Sequence, residues 1–230
     1  MNKFNKYLYY DFIEGYDQTI NSYVMHYEEM MNAIFNELPN ENLKVLEMGC
    51  GSGNLTKKIS EKRNLKITGV DISERLIANA QKKLDSDSRL DLRVGNILEV
   101  DLQSTEFDYI ISFLFIHELY PDQREELIKK IKVWSKKKTK IIIGDIFNIE
   151  EPDKREECIL EWYNWMVNRG IKTVDALKEI EVHIRDSLYT SFYLTNLLGR
   201  IDFLFSKLLW SQNFYKVMVF EQGKEGNNEQ

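Results

Sequence analysis

The sequence predicts an α/β fold, a doubly wound and mostly parallel seven-stranded sheet with an antiparallel C-terminal hairpin and a helical cap. Three observations predict it. Short apolar runs alternate with amphipathic helical patterns from residue 44 to residue 146, the βαβ period that builds a parallel sheet. A glycine-rich turn, Gly49-Cys50-Gly51-Ser52-Gly53, joins the first run to the first of those helices. The chain of 230 residues contains only 3 prolines and 11 glycines, which favours long uninterrupted elements.

Taken in order, the N-terminal stretch is aromatic, with Phe4, Tyr7, Tyr9, Tyr10, Phe12 and Tyr16. A helix follows, carrying Val24, Tyr27, Met31, Ile34, Phe35 and Leu38 on one face and ending at Pro39-Asn40. Lys44-Val45-Leu46-Glu47-Met48 is the first strand, and Leu55 and Ile59 open the next helix. Ile67-Thr68-Gly69-Val70-Asp71 is the second strand, after which Ser73 is placed to cap a helix with Leu76, Ile77, Ala80 and Leu84 inward. Leu92-Arg93-Val94 is a third strand and Phe107 to Ser112 a fourth. Asp122 is the expected cap of the helix bearing Leu127, Ile128, Ile131 and Trp134. Thr139 to Ile146 is a fifth strand, an apolar run of the kind buried on both faces. Beyond Pro152 the pattern turns helical, with Gly170 separating a helix around Tyr163 from one around Ile180. Phe203 to Trp210 and Phe214 to Phe220 read as the hairpin. The expected organisation is a helical lid over 1–40, a core made of 41–150 and 200–222, an inserted helical cap over 151–199 and a frayed polar tail over 223–230.

Composition excludes several classes. With 31 Lys and Arg against 37 Asp and Glu, the net charge of −6 argues against a nucleic-acid partner. The run Lys136-Lys137-Lys138 with Lys140 reads as a solvated turn. Cys50 and Cys158 are far apart in sequence, which suits a reducing compartment. No apolar run approaches the ~20 residues of a membrane span, and Met1-Asn2-Lys3-Phe4 lacks a signal-peptide core. A cytoplasmic chain with no membrane partner is expected.

The glycine turn carries the first chemical signal. Glycines between a strand and a helix let the backbone turn tightly and let a ligand come close to main-chain atoms, at the carboxyl end of the first strand, where a parallel sheet forms its crevice. Asp71 ends the second strand, placed to accept hydrogen bonds from a ribose diol. Two ligand classes use such a site. A dinucleotide wants Gly-x-Gly-x-x-Gly, whereas here the third glycine comes one residue early and Glu47 precedes the turn. A carboxylate there repels a pyrophosphate and suits the ammonium and sulfonium of S-adenosylmethionine.

Val45-Leu46-Glu47-Met48-Gly49-Cys50-Gly51-Ser52-Gly53 resembles the first motif of class I S-adenosylmethionine-dependent methyltransferases, and Gly69-Val70-Asp71-Ile72-Ser73 their second. Phe107 to Ser112 with Ile116-His117-Glu118-Leu119 is similar to the fourth-strand segment of the small-molecule members. The resemblance implies a Rossmann-like core that binds S-adenosylmethionine and releases S-adenosylhomocysteine. It implies that Glu47 with Gly49, Cys50 and Gly51 faces the methionine part, that Asp71 holds the ribose, and that Ile72 packs on the adenine. Asn96-Ile97 stands where relatives place an Asp and an apolar residue near the adenine amine, and an Asn oxygen can still accept that bond. Ser112, Phe113 and His117 are implied at the reactive end. Gly15-Tyr16-Asp17 and the helices after the fifth strand resemble a branch that also contains the enzyme making carboxy-S-adenosylmethionine, which stands as the alternative activity.

Methyl transfer from a sulfonium needs positioning, exclusion of water and a place for a proton rather than a covalent nucleophile. His117 is the leading general base. His26 reads as a surface or packing residue, and His183 as lying on the polar side of an inserted helix. Three histidines so far apart in sequence, with Asp145 read as a cap or turn residue, predict no metal. Tyr16, Tyr23, Trp162 and Trp165 come from segments expected to close over the crevice and to form an aromatic acceptor pocket for a small molecule, with O or N as the expected nucleophile. The oligomeric state stays open, with the helices after residue 153 available to pair subunits in a homodimer.

Overall fold

The computed structural model describes residues 16–84, 87–102, 106–186 and 189–223. The aromatic run from Phe4 to Phe12 and all of the expected tail but Gly223 lie outside them. Two short helices, α1 (Tyr16–Tyr23) and α2 (Tyr27–Glu37), precede β1 (Leu43–Met48), α3 (Asn54–Ser60), β2 (Leu65–Asp71), α4 (Glu74–Leu84) and β3 (Leu90–Val94). Then come β4 (Phe107–Phe113), a 3-10 turn (Ile116–Glu118), α5 (Pro121–Trp134) and β5 (Ser135–Ile146). Three helices, α6 (Pro152–Asn168), α7 (Thr173–Asp186) and α8 (Ser191–Gly199), separate β5 from the hairpin of β6 (Phe203–Gln212) and β7 (Tyr215–Gln222).

The strands form one seven-stranded sheet in the order β3-β2-β1-β4-β5-β7-β6. β1 pairs in parallel with β2 and β4, and β4 with β5, while β7 is antiparallel to both β5 and β6. The chain returns from edge strand β3 to β4 on the other side of β1, so strand order reverses between β1 and β4. A crevice opens at the carboxyl ends of strands around such a reversal.

Apolar strands divide their side chains between two layers because successive residues face opposite ways. Val45, Ile111, Ile142, Val217 and Val219 join one core cluster with Met30, Ile34 and Trp162. Leu46, Ile110, Ile141, Ile143, Met218 and Phe220 join the other with Leu127, Ile131 and Leu198. The same rule settles the hairpin. β7 buries Val217 to Phe220 on both faces and lies inside, whereas β6 exposes Leu204, Phe205 and Leu208 and forms the edge.

Local chemistry sets several boundaries. Ser73 caps α4, its hydroxyl accepting the Leu76 N–H at 3.1 Å. Asp122 does not cap α5. Pro121 occupies the first helical position, where no N–H is needed, so the cap falls at Tyr120, whose N–H donates to the Gln123 side chain at 2.9 Å. β5 starts earlier than the apolar run suggests, because Ser135 already pairs with Phe107. The lysine run between Ser135 and Lys140 loops out of register, and the Thr139 hydroxyl closes the loop by accepting the Lys136 N–H and donating to the Phe107 carbonyl. Among the described residues no helix is long and apolar enough to cross a membrane.

The inserted helices are fastened to the N-terminal pair by Trp162, which is 1% exposed and donates its indole N–H to the Tyr23 carbonyl at 2.7 Å. Truncation at so large a buried ring leaves a cavity. Trp162→Ala should therefore lower unfolding stability by about 3–5 kcal/mol in urea titration, and Trp162→Phe by much less. A loss for Trp162→Ala below about 1 kcal/mol would mean that the cap is not packed as described.

Candidate cofactor and acceptor site

The glycine turn sits at the carboxyl end of β1. Gly49 has φ +69°, and a Cβ there would stand 2.4 Å from the Phe115 ring. Gly51 has φ +53°, and no atom lies within 4 Å of where its Cβ would be. Backbone of this kind favours glycine, and at Gly51 it opens directly onto a cavity of about 360 Å³. The Gly51 N–H donates to Asp71 Oδ2 at 2.8 Å and the Ser73 N–H to Asp71 Oδ1 at 2.9 Å. Two loops thus aim the Asp71 carboxylate along the cavity wall.

Glu47 lies below the turn, 2% exposed, and accepts the Thr56 hydroxyl at 2.6 Å. Burial pushes its carboxyl up to about 8, Thr56 opposes the shift, and the nearby Asp71 charge adds to it. The ligand-free chain therefore carries Glu47 protonated at neutral pH. Cys50 is a buried thiol held neutral by desolvation.

The remaining walls come from neighbouring strand ends. Ile72, Asn96 and Ile97 line the cavity. The Asn96 oxygen accepts the Leu98 N–H at 3.0 Å, so an adenine amine would share that acceptor. Phe113 lines the cavity but Ser112 does not. Ser112 is fully buried, paired in register with Met48 and Ile143, because alternation along β4 sends it to the opposite face. From above, α1 is clamped to the glycine turn. Asp17 accepts the Ser52 hydroxyl and pairs with Lys83 at 2.7 Å. Burial raises the Asp17 carboxyl, but the Lys83 and Ser52 hydrogen bonds outweigh it and hold the group low.

On the acceptor side the chain leaves β4 through Leu114, a non-glycine residue at φ +52°, a conformation that structures retain mostly at functional sites. The 3-10 turn follows, its carbonyls at Ile116 and His117 accepting from the buried Arg124 guanidinium. His117 is 4% exposed. Its backbone N–H and its Nδ1 meet the two oxygens of Asp145 at 3.1 and 2.5 Å, and its Nε2 lies 3.0 Å from Glu118 Oε1. Burial lowers the His117 imidazole, but Asp145 and Glu118 outweigh burial and lift it to about 9. A histidine so placed keeps its proton at neutral pH in the ligand-free chain, unlike the free base suggested by sequence.

His183 is not on a solvated face. It is 6% exposed, its ring centroid is 5.3 Å from that of His117, and its Nε2 lies 3.8 Å from Glu118 Oε1. The expectation that the histidines stay too far apart to form a constellation is thereby corrected. Asp145 is no turn residue either: wholly buried, it also accepts the Tyr189 hydroxyl at 2.8 Å. His26, at φ +59°, packs between the rings of Trp165 and Trp210.

Of the aromatic residues expected in the pocket, Tyr23 and Trp162 line the cavity. Trp165 does not; its indole N–H donates to the Asn21 carbonyl and the Arg169 guanidinium lies over its ring, so it seals α6 against α1. The Tyr16 side chain lies outside the described residues. Sequence reasoning missed Tyr27, Glu118, Glu179 and Tyr215 on the cavity wall. Glu118 adjoins His117, and Glu179 precedes His183 by one helical turn, so an i,i+4 pairing rule was the available signal.

Residues 45–138 match the family model of a methyltransferase domain. An uncharacterized methyltransferase of Geobacillus sp. (strain WCH70) is 31% identical over 133 residues, which is 58% of this chain and 60% of that protein. A carboxy-S-adenosyl-L-methionine synthase of Wolinella succinogenes is 25% identical over 168 residues, 71% of this chain and 69% of that protein. The crystal structure of 1,6-didemethyltoxoflavin-N1-methyltransferase from Burkholderia thailandensis, with 1,6-didemethyltoxoflavin and S-adenosylhomocysteine bound, shares the fold with a TM-score of 0.63 at 14% identity. That likeness covers 94% of this chain and 84% of the other. The chain is thus similar, over residues 45–138, to methyltransferase domains, and it spans about 60% of the length of the Geobacillus relative.

The Glu47 carboxyl makes stability depend on pH. Between its ordinary 4.5 and its folded value of about 8 the folded chain holds a proton that the unfolded chain has lost. Stability therefore falls as pH rises through that window and levels off above it. Glu47→Gln should remove this component, so urea unfolding of the ligand-free proteins from about pH 5 to pH 9 should show the native chain losing stability relative to the variant. Parallel pH profiles for the two would contradict the buried acid.

Proposed function

We propose that the chain transfers a methyl group from S-adenosylmethionine to a small-molecule acceptor by in-line displacement. The observation that carries the reading is the open approach at Gly51 beside the aimed Asp71 carboxylate, with the buried acid Glu47 beneath. These groups fit the cofactor: Asp71 can accept from a ribose diol, Glu47 can ionise against an ammonium or sulfonium, and Ile72 offers an apolar face to adenine. When bound, S-adenosylmethionine supplies an electrophilic methyl, whose bond to sulfur breaks with its electron pair leaving on S-adenosylhomocysteine as the acceptor's lone pair bonds to carbon.

The chain's own task is to hold the acceptor in line, keep water out and receive any proton the acceptor loses. The described helices within 16–40 and 151–199 serve as lid and cap. Tyr23, Tyr27, Trp162 and Tyr215 supply an aromatic wall for a planar acceptor. His117, oriented by Asp145 and already holding its proton, stands at the far wall beside Glu118, whose carboxylate is the group there that could take a proton from an acceptor O–H or N–H. Two buried free thiols, Cys50 and Cys158, suit a reducing, cytoplasmic setting.

The carboxy-S-adenosylmethionine alternative is favoured by the Wolinella relative. Against it, the cavity lining contains Glu47, Asp71, Glu99, Glu118 and Glu179 but, among the described residues, no Lys or Arg. The one protonated histidine shown there among the described residues, His117, is already paired with Asp145 and Glu118. A carboxylate-bearing substrate would thus meet a wall whose described residues offer no free cation, whereas a neutral or cationic acceptor needs none.

Calorimetry tests the cofactor. S-adenosylhomocysteine should bind and NAD should not, and Asp71→Ala should weaken the thioether by about 1–3 kcal/mol through lost ribose hydrogen bonds. Binding of NAD alone, or an unchanged affinity in the variant, would defeat the reading.

A further inference from the structure

We propose that His117, Glu118 and His183 form a binding site for a single divalent transition ion, of the Zn²⁺ class, on the acceptor wall of the cavity. Their ligand-type atoms all lie within 4.8 Å of one another, and all three residues line the cavity. Metal–ligand bonds of about 2.1 Å at a tetrahedral angle put donor atoms about 3.4 Å apart. The separations from Glu118 Oε1, 3.0 Å to His117 Nε2 and 3.8 Å to His183 Nε2, bracket that value.

The surroundings of the two rings point the same way. A metal-bound histidine typically engages its other nitrogen with a carboxylate or a carbonyl, which orients the ring. His117 meets Asp145 through Nδ1, leaving Nε2 toward Glu118. His183 meets the Glu179 carbonyl through Nδ1 at 2.9 Å, leaving Nε2 toward the same Glu118 oxygen. Two rings on separate elements are therefore held in the same tautomeric sense and aimed at one carboxylate. Asp145 is a positioning residue for this arrangement, tied in turn by Tyr189 and by the Ile146 N–H. Trp162 packs edge-on against His183 and dries that side.

Two histidines and a carboxylate suit a borderline ion such as Zn²⁺, and three protein ligands leave a position open, as in sites where an ion acts on a bound molecule. All three ligands line the cavity, so a molecule in the cavity could take that position. An acceptor hydroxyl or thiol bound there would lose its proton to solvent more readily, and the coordinated oxygen or sulfur would be held for methylation, its lone pair taking the methyl as the carbon–sulfur bond of the cofactor breaks. This use of the ion rests on the methyl-transfer reading; the binding of the ion does not.

The test is a titration of chelator-treated full chain with Co²⁺, a spectroscopic substitute for Zn²⁺. One equivalent per chain should bind with visible ligand-field absorption, and Zn²⁺ should displace it. His183→Ala and Glu118→Gln should lose stoichiometric Co²⁺ binding while still binding S-adenosylhomocysteine, and Asp145→Asn should weaken it about 10–100-fold. Asp71→Ala should keep Co²⁺ and lose affinity for the thioether, which separates failure of this site from failure of the cofactor reading. Zn-edge X-ray absorption of the native chain decides the ligands even if a variant misfolds: two imidazoles are expected. Substoichiometric binding, oxygen-only ligation, or binding that survives both substitutions would overturn the proposal.

Discussion

The buried side chain of Asp145, at the end of β5, holds together the cavity wall that carries His117. It receives the backbone and the ring of His117, the hydroxyl of Tyr189 from the segment before α8, and the N–H of its own neighbour Ile146. A fully buried charge is costly unless it is hydrogen-bonded on every side, and here the bonds that satisfy it also fix the positions of three chain segments. The 3-10 turn after β4, the sheet and the inserted helices meet at this one group. Arg124 completes the turn from behind through the carbonyls of Ile116 and His117.

The cofactor half obeys a different constraint. Glu47 is buried with a single side-chain hydroxyl for support, and its burial pushes the acid form into neutral pH. Keeping an ionisable group there costs stability that an apolar residue would not. Asp71 stands in contrast, more exposed and tied by backbone N–H groups from two loops. One acid is thus held protonated by burial and the other is aimed by backbone donors, with the glycine turn and the cavity beside them.

Closure depends on contacts spread along the chain. Asp17 joins α1 to the glycine turn through Ser52 and to α4 through Lys83. Trp162 joins α6 to the end of α1, and Trp165 seals the same seam one helical turn along. The helices between β5 and β6 are therefore coupled to both halves: they cover the pocket and, through α7, bring His183 and Glu179 to its wall.

The sheet, the cap of α4 at Ser73 and the placing of the glycine turn and Asp71 at adjacent strand ends were legible in the sequence. Those features are written in short contiguous stretches, since a strand, its glycine turn and the acid ending the next strand are set by local periodicity and by which residues tolerate positive φ. Only the tertiary structure decided the surroundings of His117. Ser112 turned inward because register with Met48 and Ile143 fixed its face, and Trp165 went to a seam because α1 packed there. His183 reached His117 across a sheet strand and an inserted helix, a proximity that no spacing rule contains. Side chains remote in sequence meet only when helices and strands have chosen their partners, and that choice is made by the burial of whole faces rather than by the residues that later do the chemistry.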